Sequence, residues 1–505
     1  MTNPLYDTLF GHNANRSAPF LYLPDGSRIA YGDFLAKAAQ FAHVLTDTGL
    51  KPGDRVAAQI EKSPEALALY AACVQAGAVF LPLNTAYTAE ELAYFIGDSG
   101  AKIIVSDGRD LEILASIADP LGATLYSLNG DGSGTFADAA KTKPETYETA
   151  ARGEDDLAAL LYTSGTTGRS KGAMLSQRNL LSNAETLAAY WQFNESDILL
   201  HALPIYHTHG LFVATNITLI VGSAMIFLPK FDLDGILTQL PHATVMMGVP
   251  TFYTRLLDAS GFSSELVRNI RLFVSGSAPL LAETHRRFET LTGHLILERY
   301  GMTETSMNTS NPFDGARRAG TVGLPLPGIE VKVTDPETGQ SLLPGEIGQI
   351  EVRGPNVFQG YWQMPEKTKA ELRENGFFIT GDLGQFDEDG YLQIVGRDKD
   401  LIISGGFNIY PKEIELVLDA QPGVMESAVI GVPHADFGET VLALIVPDRA
   451  APPDLGQIMS ATAKSLARFK HPRELIFVEG LPRNTMGKVQ KNLLRDRYKD
   501  HFVPT

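Results

Sequence analysis

The stretch Leu160-Leu-Tyr-Thr-Ser-Gly-Thr-Thr-Gly-Arg-Ser-Lys-Gly172 runs from an apolar strand pattern into a polar loop. Glycines let a backbone come close to an anion, hydroxyls and N–H groups can surround phosphate oxygens, and a lysine adds positive charge. A Walker loop has four residues between its glycines, whereas two separate Gly165 from Gly168 here. The stretch therefore predicts a polyphosphate site of another kind, formed by Thr163, Ser164, Gly165, Thr166, Thr167, Gly168 and Lys171.

On both sides of this loop, short apolar strands alternate with amphipathic helical patterns. Strand patterns at 55–60 and 102–106 are separated by helical patterns, and the alternation resumes over 157–296. Thr88 with Glu91 three residues later predicts a capping box at the start of a helix over 88–98. Buried strands that alternate with helices favour parallel sheets covered on both faces.

The chain changes character twice towards its end. Segment 324–354 is rich in strand and turn signals, and beyond about 397 the pattern becomes that of a small α+β unit. A chain of 505 residues has room for two to four domains. We predict an α/β protein with a large N-terminal domain over 1–397, which has parallel-rich sheets and a β-rich subdomain. A small mobile α+β domain over 398–505 follows.

Composition excludes several classes of partner. The net charge is 42 − 59 = −17, which disfavours binding to nucleic acid or to an anionic membrane. The single cysteine, Cys73, excludes a disulfide within the chain. The first residues lack a signal-peptide pattern, so a cytoplasmic location is expected. Polar residues interrupt the apolar segment 210–229, which predicts two buried elements and not a membrane span.

Further motifs follow the loop in a fixed order, at 275–279, 300–305, 380–382, 396–399, 405–411 and 482–488. With the loop, they resemble the signatures of the adenylate-forming superfamily, which includes acyl-CoA synthetases, peptide-synthetase adenylation domains and beetle-luciferase-like enzymes. The resemblance implies a two-step reaction with ATP, Mg²⁺ and coenzyme A. A carboxylate first attacks the α-phosphate of ATP, and a thiol then displaces AMP.

The resemblance also implies roles for single residues. Glu304 would be the main Mg²⁺ ligand and Thr303 would contact the α-phosphate. Asp382 would accept the two ribose hydroxyls with support from Arg397. The other residues expected to bind nucleotide, around the adenine, are Ser277, Ala278, Pro279, Glu298, Arg299, Tyr300, Gly301 and Met302.

Three positions near the C-terminus carry further implications of the resemblance. Lys488 would enter the site in the first half-reaction and bridge the acyl carboxylate and the phosphate, so its acetylation would silence the enzyme. A lysine acetyltransferase and a deacetylase are therefore candidate partners. Lys399 would be the hinge, and Gly405 and Gly406 would line the pantetheine channel.

Polar side chains in the segments expected around the acyl group indicate which acid the enzyme uses. His207, Arg255, Ser277 and Arg299 predict a cationic pocket, because a buried second carboxylate needs a charged partner. A short diacid, malonate or methylmalonate, fits, and this narrows the resemblance to malonyl-CoA synthetases. The alternative is that Arg255 and Arg299 are structural ion-pair residues that point elsewhere, Arg299 for example towards Glu298 or Glu304.

Three other functions stay open at this point. One is a synthetase for another small or aromatic acid. The second is a stand-alone adenylation enzyme that loads a carrier protein, and the third is a non-catalytic nucleotide-binding regulator.

Overall fold

The structure is a computed structural model that describes residues 2–109, 111–163, 170–404, 407–434, 437–484 and 487–502. The predicted phosphate-loop residues 164–168 and the predicted channel residues Gly405 and Gly406 lie outside the described residues. The α-helices are α1 (Pro4–Leu9), α2 (Tyr31–Asp47), α3 (Pro64–Gln75), α4 (Ala89–Ser99), α5 (Leu111–Leu121), α6 (Thr135–Ala140), α7 (Gln177–Tyr190), α8 (Asn216–Val221), α9 (Leu233–Gln239), α10 (Pro250–Leu257), α11 (Ala282–Thr292), α12 (Pro365–Glu371), α13 (Pro411–Asp419), α14 (Leu455–Ser465) and α15 (Lys491–Tyr498).

The strands of the N-terminal part belong to two large sheets. They are β1 (Pro19–Tyr22), β2 (Arg28–Ala30), β3 (Arg55–Gln59), β4 (Val79–Pro82), β5 (Ile103–Ser106), β6 (Thr124–Ser127), β7 (Leu157–Thr163), β8 (Lys171–Ser176), β9 (Ile198–His201), β10 (Ala224–Phe227), β11 (Val245–Gly248), β12 (Leu272–Ser275), β13 (Leu297–Met302), β14 (Ser306–Ser310) and β15 (Leu324–Pro325).

The later strands form two smaller sheets. They are β16 (Glu330–Thr334), β17 (Gly348–Arg353), β18 (Phe378–Phe386), β19 (Leu392–Arg397), β20 (Ile402–Ser404), β21 (Phe407–Ile409), β22 (Val424–His434), β23 (Gly438–Pro447) and β24 (Glu474–Phe477).

Both large sheets are mainly parallel, as the alternating pattern predicts. Within the described residues, one has the strand order β15-β14-β13-β12-β11-β9-β10-β1-β2, and the other has β6-β5-β3-β4-β7-β8. The central pairs are parallel, and the antiparallel pairs lie towards the edges. Strands such as β4, β5, β11 and β12 are buried at every residue, because helices cover both faces of the sheets.

Local signals set the helix starts. The Thr88 side chain accepts a hydrogen bond from the Glu91 backbone and Glu91 reaches back, so the predicted capping box is confirmed at α4. Segment 210–229 forms α8 and β10, preceded by a π-helical turn over His209–Thr215. Cys73 is fully buried in α3. No helix in the described part of the chain has the length and apolarity needed to cross a membrane.

The two smaller sheets complete the predicted α/β architecture. Strands β16 to β19 form an antiparallel sheet in sequence order, and this is the β-rich subdomain. After β19, a single turn over Asp398–Asp400 leads into the sheet β21-β20-β23-β22, which packs with α13 and α14 around its own core. The fold class is thereby confirmed. The boundary at 397/398 remains a prediction.

Candidate active site

The predicted site residues collect where parallel strands of the nine-stranded sheet end. His201 is the last residue of β9, Gly248 the last of β11 and Ser275 the last of β12. Residues 298–302 lie on the neighbouring strand β13. Carboxyl ends of parallel strands meet at one edge of a sheet, which is where α/β proteins place their ligands.

The described part of the phosphate loop is held by an antiparallel strand pair. Thr163 at the end of β7 is paired with Lys171 at the start of β8, so the loop between them is a hairpin connection. Lys171 Nζ lies 3.2 Å from the Tyr361 hydroxyl and 3.4 Å from Glu371 Oε2. An acidic partner therefore already holds the cation that is expected to meet phosphate.

Glu304 has the surroundings of a ligand for a hard cation. It is buried, it accepts a 3.0 Å hydrogen bond from the Tyr361 hydroxyl through Oε1, and burial raises its pKa. The described residues contain no cluster of three or more His, Cys, Asp or Glu side chains suited to a metal ion. One carboxylate still fits Mg²⁺, because that ion commonly binds through one or two carboxylates together with substrate phosphates.

Asp382, Arg397 and Tyr300 form one buried polar group. Asp382 on β18 lies directly across from Arg397 on β19, and Arg397 Nε is 2.7 Å from Asp382 Oδ1. The Tyr300 hydroxyl donates to Asp382 Oδ2 at 2.6 Å. The structure thus brings the predicted ribose carboxylate to the predicted adenine wall.

The loop after β12 carries backbone strain beside these residues. Ser277 has φ = +70°, which is uncommon for a side chain other than glycine, and such strain clusters at functional sites. Its hydroxyl lies 3.3 Å from His209 Nδ1. The neighbouring predicted residues are partly buried at Ala278, Gly301, Met302 and Thr303 and exposed at Pro279.

Arg299 is a buried cation that has no counterion among the described residues. Arg299 is 4% exposed, and its Nε and Nη2 atoms have no hydrogen-bond partner among the described residues. Burial lowers its pKa to about 9, so the guanidinium is charged at neutral pH. The alternative of an ion pair fails, because Glu298 lies beside His285 at 3.5 Å and Glu304 meets Tyr361.

Gly276 makes room for this guanidinium. A Cβ built on Gly276 would lie 2.6 Å from Arg299 Nε, which is closer than real Cβ contacts. The loop after β12 and the side chain from β13 therefore fit together only with glycine at this position. Gly276 therefore leaves free the space that the Arg299 guanidinium occupies.

His207 and His209 lie in the same pocket but do not add charge to it. Burial, reinforced by Arg299 and Lys488, lowers the pKa of His207 to about 4. Burial also places the pKa of His209 well below its ordinary value. Both rings are neutral at pH 7, so the positive charge of the pocket comes from Arg299 and Lys488, and His207 supplies a neutral hydrogen-bonding group.

Lys488 reaches this cleft from the C-terminal part of the chain. Its side chain stays accessible to solvent, yet protein surrounds it closely. Burial lowers its pKa to about 8, and the Arg397 charge acts in the same direction while Asp382 opposes it. The loop that carries Lys488 abuts α10, because a Cβ on Gly487 would lie 3.4 Å from Thr251 Cγ2.

Two other predicted residues, Arg255 and Lys399, are exposed at the surface. Arg255 is exposed on α10, and its guanidinium carbon lies 5.5 Å from the centroid of the Phe231 ring. It shares a helix face with Thr251, but its long side chain folds over an aromatic ring from another segment instead of entering the buried pocket. Lys399 is exposed in the turn after β19, close enough to Arg397, Asp382 and Lys488 for their charges to interact.

Other residues in contact with the site were not predicted. Tyr361 and Glu371 meet Lys171 and Glu304, and Gly276 shapes the Arg299 pocket. A lone tyrosine, a helical glutamate and a single glycine carry no chemical signal in a sequence. Only the fold brings segment 361–371 against the start of β8.

Two family matches cover most of the chain. The AMP-binding enzyme family matches residues 11–362, and the AMP-binding enzyme C-terminal domain matches residues 413–488. The chain therefore belongs to the AMP-binding enzymes, as its motif order predicts. Malonate–CoA ligase of Arabidopsis thaliana is 34% identical over 542 aligned positions, which cover 97% of this chain and 88% of that protein.

Solved structures resemble the chain over nearly its whole length. ATP-bound MatB from Rhodopseudomonas palustris is 59% identical with a TM-score of 0.97, covering 99% of this chain and 100% of that one. Apo MatB from the same organism has the same identity and coverages but a TM-score of 0.87. The structure is thus more similar to the ATP-bound form, in agreement with the approach of Lys488 to the site.

Proposed function

We propose that the chain is an ATP-dependent ligase that joins malonate to coenzyme A through a malonyl adenylate. One carboxylate of malonate attacks the α-phosphorus of ATP, and the bond to the bridging oxygen breaks as pyrophosphate leaves. The deprotonated thiol of coenzyme A then attacks the acyl carbon, and AMP departs with the bonding electron pair. The products are malonyl-CoA, AMP and pyrophosphate.

The observation that carries this proposal is the unpaired guanidinium of Arg299. A buried carboxylate without a charged partner costs several kcal/mol, and a buried guanidinium has the same need. The distal carboxylate of malonate would meet the free Nε and Nη2 atoms, which lie on one edge of the guanidinium and suit bidentate contact. A monocarboxylate would leave the cation unpaired.

Lys488 would act on the reacting end of the acid. Its ammonium group would bridge the attacking carboxylate and the α-phosphate, which reduces the repulsion between two anions as they approach. His207, which is neutral, would border the acyl group as a hydrogen-bonding partner. Ser277 would contribute its hydroxyl to the same pocket.

The nucleotide would lie along the remaining groups. Thr163 and Lys171, with the loop between them, would hold the β- and γ-phosphates, and Thr303 would contact the α-phosphate. Glu304 would hold Mg²⁺, and the bound ion would neutralise part of the phosphate charge. Asp382 would accept the ribose hydroxyls, and residues 277–279 and 298–302 would border the adenine.

The second half-reaction would use another orientation of the C-terminal domain. We propose a domain boundary at 397/398 with Lys399 as the hinge, supported by the change of sheet at the turn Asp398–Asp400. Rotation there would withdraw Lys488 and bring Gly405 and Gly406 to the pantetheine channel.

The experiment that tests the function is pyrophosphate release across a panel of mono- and dicarboxylic acids, with and without coenzyme A. We expect malonate, with methylmalonate as the next candidate, to exceed acetate and propionate in kcat/KM. Arg299→Ala should remove about 3–5 kcal/mol of this discrimination, the cost of a buried charge that loses its partner. Equal use of acetate and malonate by the unmodified enzyme would refute the diacid assignment.

We also propose that acetylation of Lys488 by a lysine acetyltransferase, reversed by a deacetylase, switches the enzyme. The side chain is accessible, and an amide would remove the charge that adenylation needs. Protein with acetyl-lysine installed at 488 should lose adenylation. Full activity of that protein would exclude the switch.

We propose that the protein is located in the cytoplasm, on the basis of its single cysteine. The one cysteine of the chain is a buried free thiol, which suits a reducing compartment. Fractionation of the source cells would test this, and recovery of the protein outside the cytoplasm would contradict it.

A further inference from the structure

A half-buried lysine that touches none of the predicted site residues through a hydrogen bond links the two large sheets. Lys62 follows β3 of the six-stranded sheet, and its Nζ lies 2.9 Å from both Nδ1 and the backbone oxygen of His201 at the end of β9. Nζ also lies 4.3 Å from the centroid of the Phe227 ring. Among the ion pairs of the described residues, none includes Lys62.

The partners of His201 fix its tautomer. Its Nε2 lies 2.8 Å from the Gly210 carbonyl oxygen, which can only accept, so Nε2 carries the proton. Burial and the Lys62 charge place the pKa of His201 well below its ordinary value, so the ring is neutral. Nδ1 is then an acceptor, and Lys62 is the donor that meets it.

The Gly210 carbonyl belongs to the first turn of the π-helix over His209–Thr215. It accepts a second hydrogen bond, of 2.9 Å, from the Thr215 hydroxyl. A side chain at Gly210 would collide with the Pro204 carbonyl, so this backbone is closely packed. π-Helical turns are rare and occur often at functional sites.

The same turn sets the histidines of the acyl pocket. The His209 backbone N–H lies 3.4 Å from His207 Nδ1, and His209 Nδ1 lies 3.3 Å from the Ser277 hydroxyl. The direction of both rings therefore depends on the backbone at 207–210. A displacement of the Gly210 backbone would therefore affect binding of the acid more than binding of the nucleotide.

We propose that Lys62 is a positioning residue for acid binding, which acts through His201 and the Gly210 carbonyl to hold His207 and His209 in the acyl pocket. The proposal rests on the proposed function, because its readout is the affinity for malonate. Lys62 itself does not touch the substrate. Its amine holds the His201 ring in the orientation that directs Nε2 at the turn.

The test is steady-state kinetics of Lys62→Met, which keeps the length of the side chain and removes its donors and charge. We expect the KM for malonate to rise roughly five- to tenfold, the size of one lost hydrogen bond of about 1 kcal/mol. The KM for ATP should stay within about twofold by the same reasoning, since the phosphate and ribose groups are untouched. Lys102→Met, at an exposed lysine just before β5, is the matched control and should behave as the unmodified enzyme.

A double-mutant cycle separates this role from a general loss of structure. His201→Gln keeps an amide donor for Gly210 and removes the ring acceptor for Lys62. In that background, Lys62→Met should change the KM for malonate by less than about twofold, because the coupled interaction is already gone. Additive effects would overturn the proposal, as would equal changes in the two KM values or no change in either.

A second variant, Thr215→Val, tests the same chain of contacts if Lys62→Met does not fold. Thr215→Val removes the other donor to the Gly210 carbonyl without a change of shape, and it should raise the KM for malonate more than the KM for ATP. Unchanged KM values in Thr215→Val would also overturn the proposal. If the unmodified enzyme does not saturate with malonate in the same assay, the proposed function fails, and the two failures are thereby distinguished.

Discussion

At the scale of single residues, the site is defined by two cations, Arg299 and Lys488, that form no ion pair within the described residues. Arg299 is buried with two free donor atoms, and Lys488 stands in the cleft with a pKa of about 8. A fold gains no stability from a buried cation without a counterion. Buried cations of this kind are expected at a site where the substrate supplies the anions that pair with them.

Replacement of Arg299 should therefore stabilise the free protein. Arg299→Met keeps much of the side-chain volume and removes an uncompensated buried charge. We expect the free energy of unfolding to rise by about 1–4 kcal/mol while malonate activation falls. Denaturant unfolding of the ligand-free protein measures this, and a less stable variant would show that Arg299 has a structural partner.

The lowered pKa of Lys488 predicts an alkaline limit to adenylation. The ammonium form is the one that would bridge the two anions under the proposed mechanism, and it is lost as pH rises through about 8. The kcat/KM for pyrophosphate release should therefore decline above that pH. Lys488→Arg keeps its charge, so the decline should move to higher pH in that variant. An identical decline in both proteins would assign it to another group.

At the scale of elements, α12 provides an anion at the phosphate site. Glu371 is the last residue of this helix, and it contacts Lys171 at 3.4 Å and Lys367 at 2.6 Å. Its carboxylate forms an ion pair with Lys171, the cation that would bind the β- and γ-phosphates. If Lys171 binds these phosphates as proposed, ATP would have to displace the Glu371 carboxylate in order to bind.

Glu371→Gln should accordingly tighten ATP binding. The lost ion pair is partly exposed and is worth about 0.2–1 kcal/mol, so we expect a fall of up to about fivefold in the Kd for ATP. Calorimetric titration with ATP measures this. Glu366→Gln, at an exposed position on the same helix, is the control. Weaker ATP binding in Glu371→Gln would mean that Glu371 orients Lys171 instead of competing for it.

The elements also show how far the sequence can be interpreted. Strand and helix alternation, the Thr88 capping box and the motif order predict the sheets and the family, because these signals are local. The contacts of Tyr361, Glu371 and Lys62 could not be predicted, since each joins segments far apart in sequence. Arg255 shows the opposite limit: helical spacing places it on the face of Thr251, but it cannot say that the guanidinium lies over Phe231.

At the scale of the whole molecule, the C-terminal part brings Lys488 to the predicted site, as the proposed first half-reaction requires. Lys488 lies near Arg397, Asp382 and Glu304, and its loop touches Thr251 on α10. The higher TM-score with ATP-bound MatB than with apo MatB agrees with this arrangement. Transfer to coenzyme A would then require the two parts to separate.

A disulfide across this contact should separate the two half-reactions. Thr251→Cys with Gly487→Cys would join α10 to the Lys488 loop, and the native Cys73 is buried. The oxidised protein should release pyrophosphate once and fail to form malonyl-CoA, and reduction should restore transfer. Full turnover of the oxidised protein would exclude the proposed rotation.

The most direct test of the central claim is a crystal structure with a non-hydrolysable analogue of malonyl adenylate. We predict that the distal carboxylate lies about 2.7–2.9 Å from Nε and Nη2 of Arg299, with the adenosine beside Tyr300 and Asp382. A distal carboxylate bound by Arg255 or by solvent, with Arg299 still unpaired, would contradict it.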